Sequence, residues 1–235
     1  MRSALLLLVV MGGCSSRDPG LPATGDVPWP GEHESFTAKH ERFLAEGRAE
    51  KFDVICLGDS LTWGWDNHRE LWRDAVTSAR TAFWAIGGDA TNQLLWRIDH
   101  GALDGQSPAV VVLLVGTNNS WIDDNPADIA RSIHVVVQRI ARHCPHSMIM
   151  LLGILPQGDN PGASSRAKFT ALNRLLPMFA SKHVRVLPDI GNCLLEADGT
   201  LSSSTSYDGT HLTETGYRRF AAALAPHIRA VLSRE

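Results

Sequence analysis

Asp208 and His211 share one short stretch, Asp208-Gly209-Thr210-His211, and far upstream a hydroxyl, Ser60, follows a Gly-Asp pair. A serine hydroxyl is a poor nucleophile near neutral pH and needs a base to take its proton. Histidine serves when its second ring nitrogen is held by a carboxylate, which fixes tautomer and orientation. One Asp-x-x-His loop supplies both groups. The chain order Ser, Asp, His says little by itself, because triad orders differ between folds. A tetrahedral oxyanion also needs donors already aimed at it. The Ser60 N–H, the Gly88 N–H in Gly87-Gly88-Asp89 and the Asn118 amide in Gly116-Thr117-Asn118-Asn119 could supply them. No Gly-x-Ser-x-Gly elbow surrounds Ser60, so this is not an ordinary α/β-hydrolase.

Each of these groups needs an element to position it. Ser60 comes after an apolar run, and strands are expected at Asp53–Leu57, Thr81–Ile86, Ala109–Val115, Ser147–Leu152 and Val184–Leu187. Helices are expected from Glu34 to about Glu50, around Glu70–Val76, at Thr91–His100, from an Asn125 cap and Pro126 to about His143, from Ser164 to Lys182 with an interruption at Pro177, and at Thr213–Leu232. Strands alternating with helices predict an α/β fold, a flavodoxin-like three-layer sandwich around a five-stranded parallel sheet of order 2-1-3-4-5. In that order the loops after the first three strands meet at one rim, beside the switch point. Ser60, Gly88 and Asn118 stand in those three loops.

Gly58-Asp59-Ser60, Gly88, Gly116-x-Asn118 and Asp208-x-x-His211 resemble the four blocks of the SGNH (GDSL-type) hydrolase family, in its order and spacing. The longer strings Ile86–Thr91, Leu95-Trp96-Arg97, Val115–Asn119 and Thr210–Thr213 are similar to its platelet-activating-factor acetylhydrolase catalytic-subunit branch. The resemblance runs from about His40 to Tyr217. It implies nucleophile Ser60, base His211, orienting Asp208, and oxyanion donors Ser60, Gly88 and Asn118. It calls for neither a metal nor an organic cofactor.

The remaining chain bounds the setting. Its 235 residues are 44% hydrophobic and 20% charged, which suits one ordinary domain with a real core. A net charge of −3 with scattered Lys and Arg excludes a basic stripe, so no nucleic-acid partner is expected. Residues 1–14 differ in kind: Arg2, an apolar stretch to Met11, then Gly12-Gly13-Cys14. They suit an export signal and resemble a bacterial lipoprotein box, in which Cys14 becomes the lipidated first residue. Residues 15–32, rich in Pro and Gly, read as a flexible tether, and 33–235 as the catalytic domain. The expected location is thus a membrane-anchored protein facing the periplasm or exterior. Cys56 reads as a small buried hydrophobe. Cys144 and Cys193 fall at opposite edges of a parallel sheet, too far apart for a disulfide.

Other residues have plainer readings. Asp59 and Asp89 suit loop-ordering hydrogen bonds better than a metal or a second base. His143 and His146 lie at the other end of the sheet without a carboxylate cluster, short of a zinc site's four ligands. Trp63, Trp65 and Trp121 flank the site motifs and suit stacking on a sugar, lining an acyl pocket, or loop packing alike. Trp84 and Trp96 suit core or interface. The expected function is a serine esterase removing a short acyl group, acetyl first, from a carbohydrate or lipid alcohol. The alternative is a non-catalytic, surface-anchored glycan-binding protein on the same fold. A nucleotide-binding module lacks both Gly-x-Gly-x-x-Gly and a P-loop.

Overall fold

Five short strands pair side by side and all parallel, in the order β2-β1-β3-β4-β5. They are β1 (Val54–Gly58), β2 (Thr81–Ala85), β3 (Val110–Leu114), β4 (Met148–Leu152) and β5 (Val184–Leu187). The structure is a computed structural model that describes residues 24–31, 34–76, 79–122 and 125–233, without the side chains of Glu34, Ser120 and Trp121. Each crossover carries at least one helix. The α-helices are α1 (Glu34–Ala49), α2 (Ser60–Trp63), α3 (Arg69–Val76), α4 (Thr91–Asp99), α5 (Pro126–His143), α6 (Ser164–Leu175) and α7 (Glu214–Leu232).

Alternation along each strand sends side chains to two faces. Ile55, Leu57, Val111, Leu113, Ile149 and Leu151 pack with α1, α4, α5 and α6, while Val54, Cys56, Val110, Val112, Met150 and Leu152 pack with α3 and α7. Burial on both faces explains why β1, β3 and β4 read as unbroken apolar runs, whereas the edge strand β5 is only half-buried and carries Arg185. α5 starts as its sequence implies: the Ala127 N–H donates to Asn125 Oδ1 at 2.9 Å, with Pro126 next in the first turn.

Register then fixes the site. Gly58 stands opposite both Ala85 and Leu114, so the first three strands end level. The loops carrying Ser60, Gly88 and Asn118 leave from that one edge. Among the described residues, no helix is long and apolar enough to cross a membrane.

Two expectations need correction. The helix expected to reach Lys182 stops at Leu175, and Leu176–Phe179 is a 3-10 turn with Pro177 in its first two positions. Proline has no N–H to continue the ladder and crowds the preceding turn. The predicted tether also falls partly outside the described residues, but its section 24–31 lies against the domain. There the Trp29 N–H donates to the Asn92 carbonyl at 3.1 Å, and Thr91 Oγ1 donates to the Gly25 carbonyl at 2.7 Å. Pro and Gly content describes local stiffness and says nothing of such docking. Cys14 lies outside the described residues, whereas Cys56, Cys144 and Cys193 are free thiols.

Candidate active site

The turn after β1 is built around the absence of a side chain at Gly58. A Cβ there would stand 2.2 Å from the Leu114 carbonyl oxygen and 2.5 Å from Thr62 Oγ1. Without one, the chain passes tightly from strand into α2. Asp59 caps that helix, its Oδ1 accepting from the Leu61 N–H at 3.0 Å, and Ser60 is the first helical residue. The Tyr217 hydroxyl, from α7, donates to the Leu61 carbonyl at 2.9 Å and ties the short helix down.

Asp208 folds its own loop. Its Oδ1 accepts from the backbone N–H groups of Thr210 (2.9 Å) and His211 (2.7 Å), and its Oδ2 lies 2.7 Å from His211 Nδ1. His211 Nε2 in turn lies 2.9 Å from Ser60 Oγ. A carboxylate at Nδ1 favours the tautomer with the proton there, leaving the Nε2 lone pair facing the hydroxyl. Partial burial pushes the Asp208 carboxyl up, but the bonds from the His211 ring and the two backbone N–H groups outweigh it and hold it below its ordinary value. The loop is pinned by its neighbours: the Gly158 N–H donates to the Gly209 carbonyl at 2.8 Å, and the Tyr207 N–H to the His211 carbonyl at 3.1 Å.

Opposite this relay stand the expected oxyanion donors. The first N–H groups of a helix have no intrahelical acceptor, which leaves that of Ser60 available. Gly88 holds φ at 85°, a conformation that suits glycine, and a Cβ there would meet nothing within 4 Å. The side on which a side chain would stand is therefore open. Asn118 sits in the 3-10 turn Thr117–Trp121, and its amide donates to the Asp89 carbonyl at 3.0 Å. An amide NH2 carries a second hydrogen that can serve a substrate oxygen.

Beneath the rim lies a polar layer sealed from water. Arg97, wholly buried on α4, donates through Nε and Nη2 to Asp89 Oδ2 at 2.9 and 2.7 Å, and through Nη1 to the Trp84 carbonyl at 2.9 Å. Burial lifts Asp89 to about 6 even against the pull of Arg97. Burial also lifts Asp59, to about 7. Asp59 orders its turn through the Leu61 N–H, as its residue type suggested, whereas the Asp89 carboxylate is held by the Arg97 side chain rather than by loop backbone. Arg97 enters the sequence reading only through the Leu-Trp-Arg resemblance, and its wholly buried pairing was missed. A signal existed, since the arginine falls between Leu95 and Ile98 on an otherwise apolar face.

The tryptophans separate. Trp63 is 41% exposed, and its ring edge and Ser60 Cβ both lie 3.7 Å from where a Gly87 Cβ would be. Lys39 Nζ sits 4.5 Å from the Trp63 ring centroid. Trp65, a candidate for substrate contact, takes the packing alternative instead: it is 2% exposed and packs on Trp72, Phe83, Tyr217 and Phe220. Residues two apart in a helical turn point to opposite sides, and Trp65 shares the side of buried Leu61. Of Trp121 only the backbone is described. Trp84 is core and Trp96 stacks on His100. Sequence reasoning missed Tyr207, 68% exposed and stacked 5.8 Å from His211 at 14°. His143 lies 3.5 Å from Asp104. Among the described residues, no group of three or more His, Cys, Asp or Glu side chains could hold a metal. A cavity of about 490 Å³ opens elsewhere, between Phe169, Asn173 and Asp189, and none of Ser60, Asp208 and His211 lines it.

Comparison with known proteins adds an independent line. Residues 56–219 match the model of the GDSL-like lipase/acylhydrolase family. Platelet-activating factor acetylhydrolase IB subunit alpha2 of Rattus norvegicus is 32% identical over 200 residues, 85% of this chain and 86% of the relative. A Streptococcus pneumonia structure provisionally described as a platelet activating factor superposes with a TM-score of 0.68 at 24% identity, covering 82% of this chain and 94% of that one. A carbohydrate acetylesterase from Sinorhizobium meliloti gives 0.57 at 19% identity, covering 76% and 98%. The two structural likenesses speak for the fold alone.

Proposed function

The chain belongs to the GDSL-like lipase/acylhydrolase family and is a carboxylic ester hydrolase, and from that premise we propose that it removes acetyl groups from carbohydrate hydroxyls through an acyl-enzyme on Ser60. The observation that carries the proposal is the continuous relay from Ser60 Oγ to His211 (2.9 Å) to Asp208 (2.7 Å). Ser60 Oγ attacks the ester carbonyl carbon while its proton passes to His211 Nε2. The carbonyl oxygen becomes an oxyanion that takes hydrogen bonds from the Ser60 and Gly88 N–H groups and the Asn118 amide. Collapse breaks the bond to the alcohol, which leaves with the proton from His211. Water then attacks the acetyl-serine with His211 again as base, and acetate departs as Ser60 regains its proton.

The acetyl assignment leans on relatives named as acetylhydrolases. The carbohydrate assignment leans on exposed Trp63 and Tyr207 at either side of the relay, since flat aromatic faces suit sugar rings. An acetylated lipid alcohol is the second reading, favoured by the platelet-activating-factor relatives. A non-catalytic glycan binder finds no support, for a binder has no need of the relay. Hydrolysis of acetylated sugars, an acetylated glycerolipid and p-nitrophenyl esters of rising chain length separates the readings: acetyl sugars should lead. Ser60→Ala should abolish turnover and fluorophosphonate labelling, and a mutant with near wild-type turnover would remove the mechanism. Export and diacylation at Cys14 belong to the same proposal, supported by the apolar run before it. Cys14→Ala should move the protein out of the membrane fraction; unchanged fractionation would count against an anchor.

A further inference from the structure

Gly88 and Asn118 come from different loops, and an oxyanion hole works only if both donors keep a fixed spacing. Those loops are joined by a buried reciprocal clamp. The Thr91 N–H donates to Asn119 Oδ1 at 3.1 Å, and Asn119 Nδ2 donates back to Thr91 Oγ1 at 2.7 Å. Thr91 opens α4 three residues after Gly88, and Asn119 follows Asn118 directly. Both clamp residues are wholly buried.

The Thr91 hydroxyl, having accepted one bond from Asn119, still has a proton to place. A buried hydroxyl without an acceptor is costly. Its acceptor is the Gly25 carbonyl, 2.7 Å away in the segment that precedes the domain. That segment is held at two further points. The Trp29 N–H reaches the Asn92 carbonyl at 3.1 Å, and Asp26 lies 3.5 Å from Arg131 on α5. A hydrogen bond from the Thr24 side chain, with Arg131, holds the Asp26 carboxyl below its ordinary value, so it is ionised for that pairing.

We infer that residues 24–29 form a strap that completes the oxyanion hole from behind, with Thr91 and Asn119 as positioning residues that set the Gly88–Asn118 spacing. The bonds run in one direction, from Asn119 amide to Thr91 hydroxyl to Gly25 carbonyl, and each link polarises the next. A segment read as a passive tether thereby becomes part of the catalytic framework. The inference rests on the esterase reading above.

The test uses the full chain on p-nitrophenyl acetate, with Ser60→Ala as the control for the reading itself. Thr91→Val keeps the shape and removes the hydroxyl. It should lower kcat by about 10–100-fold, as expected for displaced donors, with KM within about twofold. Thr91→Ser should restore kcat to within about threefold. In an Asn118→Ala background, Thr91→Val should cost less than about threefold more, because the group it positions is already gone. Asp26→Ala with Trp29→Pro removes the Arg131 pairing and the N–H that reaches the Asn92 carbonyl without touching the buried clamp, and should lower kcat about 3–10-fold with KM held. If Thr91→Val does not fold, this strap variant decides. Unchanged kcat in it, or a full-sized Thr91→Val loss on top of Asn118→Ala, overturns the inference. Turnover by Ser60→Ala would instead overturn the esterase reading beneath it.

Discussion

Gly88 and Asn118 rest on side chains sealed from solvent, namely Asp89, Thr91, Arg97 and Asn119, whereas Asp208 and His211 ride on a loop with their own side chains 42% and 36% exposed. On the mechanism proposed above, the contrast follows the work each half does. Oxyanion donors contribute by standing still, since dipoles that need not reorganise give the largest electrostatic gain. A base must give its proton to a departing alcohol and take one from incoming water, so it has to meet solvent. Rigidity on the exposed side therefore comes from backbone bonds, such as Gly158 to Gly209 and Tyr207 to His211, rather than from burial.

The largest effect should come from the exposed half. Asp208→Asn keeps the shape of the loop but lets the amide favour the wrong histidine tautomer, so kcat should fall on the order of 10³–10⁴-fold with little change in melting temperature. Loss of stability in proportion to loss of rate would erase the distinction between the halves. The buried half should respond in the opposite way. Arg97→Met leaves Asp89 without its partner in a dry site, which costs about 3–5 kcal/mol in urea unfolding. Arg219→Met, by contrast, breaks a solvent-screened pair with Glu196 and should leave the urea midpoint nearly unchanged.

The same division governs what could be read from the sequence. The sheet order and the rim were legible because strands buried on both faces show as unbroken apolar runs, and each motif ends one. The Asp-x-x-His loop was legible because its spacing is local. What escaped depends on tertiary neighbours. Arg97 looks like any helical arginine until its carboxylate and carbonyl partners are seen. Trp63 and Trp65 have the same composition signal, and only the turn between them sends one outward and the other into the α3–α7 core. Residues 24–31 resemble linker because Gly25 acts through a backbone carbonyl, which sequence does not display.

Asp59 offers a titration test of the buried half. Its carboxyl ordinarily titrates near 3.8 and is lifted by burial to about 7. Folding therefore takes up a proton between those values, so stability falls as pH rises from about 4 to about 7 and is flat above. Asp89, lifted to about 6, acts in the same direction. Asp59→Asn keeps the acceptor for the Leu61 N–H and removes the charge. The mutant should match wild type near pH 4 and be more stable by ~1–4 kcal/mol at pH 8. A constant difference across that range would mean that Asp59 is not carried protonated in the fold.

Tyr207 carries the smallest expected effect and sharpens the comparison most. Its ring lies nearly parallel to His211 and is largely exposed, so two roles are open to it: holding the imidazole or holding the substrate. They differ in what they move. Taking the about 0.5–1.5 kcal/mol of an aromatic pair as the scale for a ring face on a sugar, Tyr207→Ala should raise KM for an acetylated oligosaccharide about 2–10-fold and leave p-nitrophenyl acetate within about twofold. A ring that holds the base would instead depress kcat on both substrates alike, since proton transfer serves every ester. Trp63→Ala, lying near Ser60 rather than His211, separates the cases again. Matching KM increases in the two mutants would assign both rings to the sugar. A kcat loss confined to Tyr207→Ala would show that the exposed half needs packing after all.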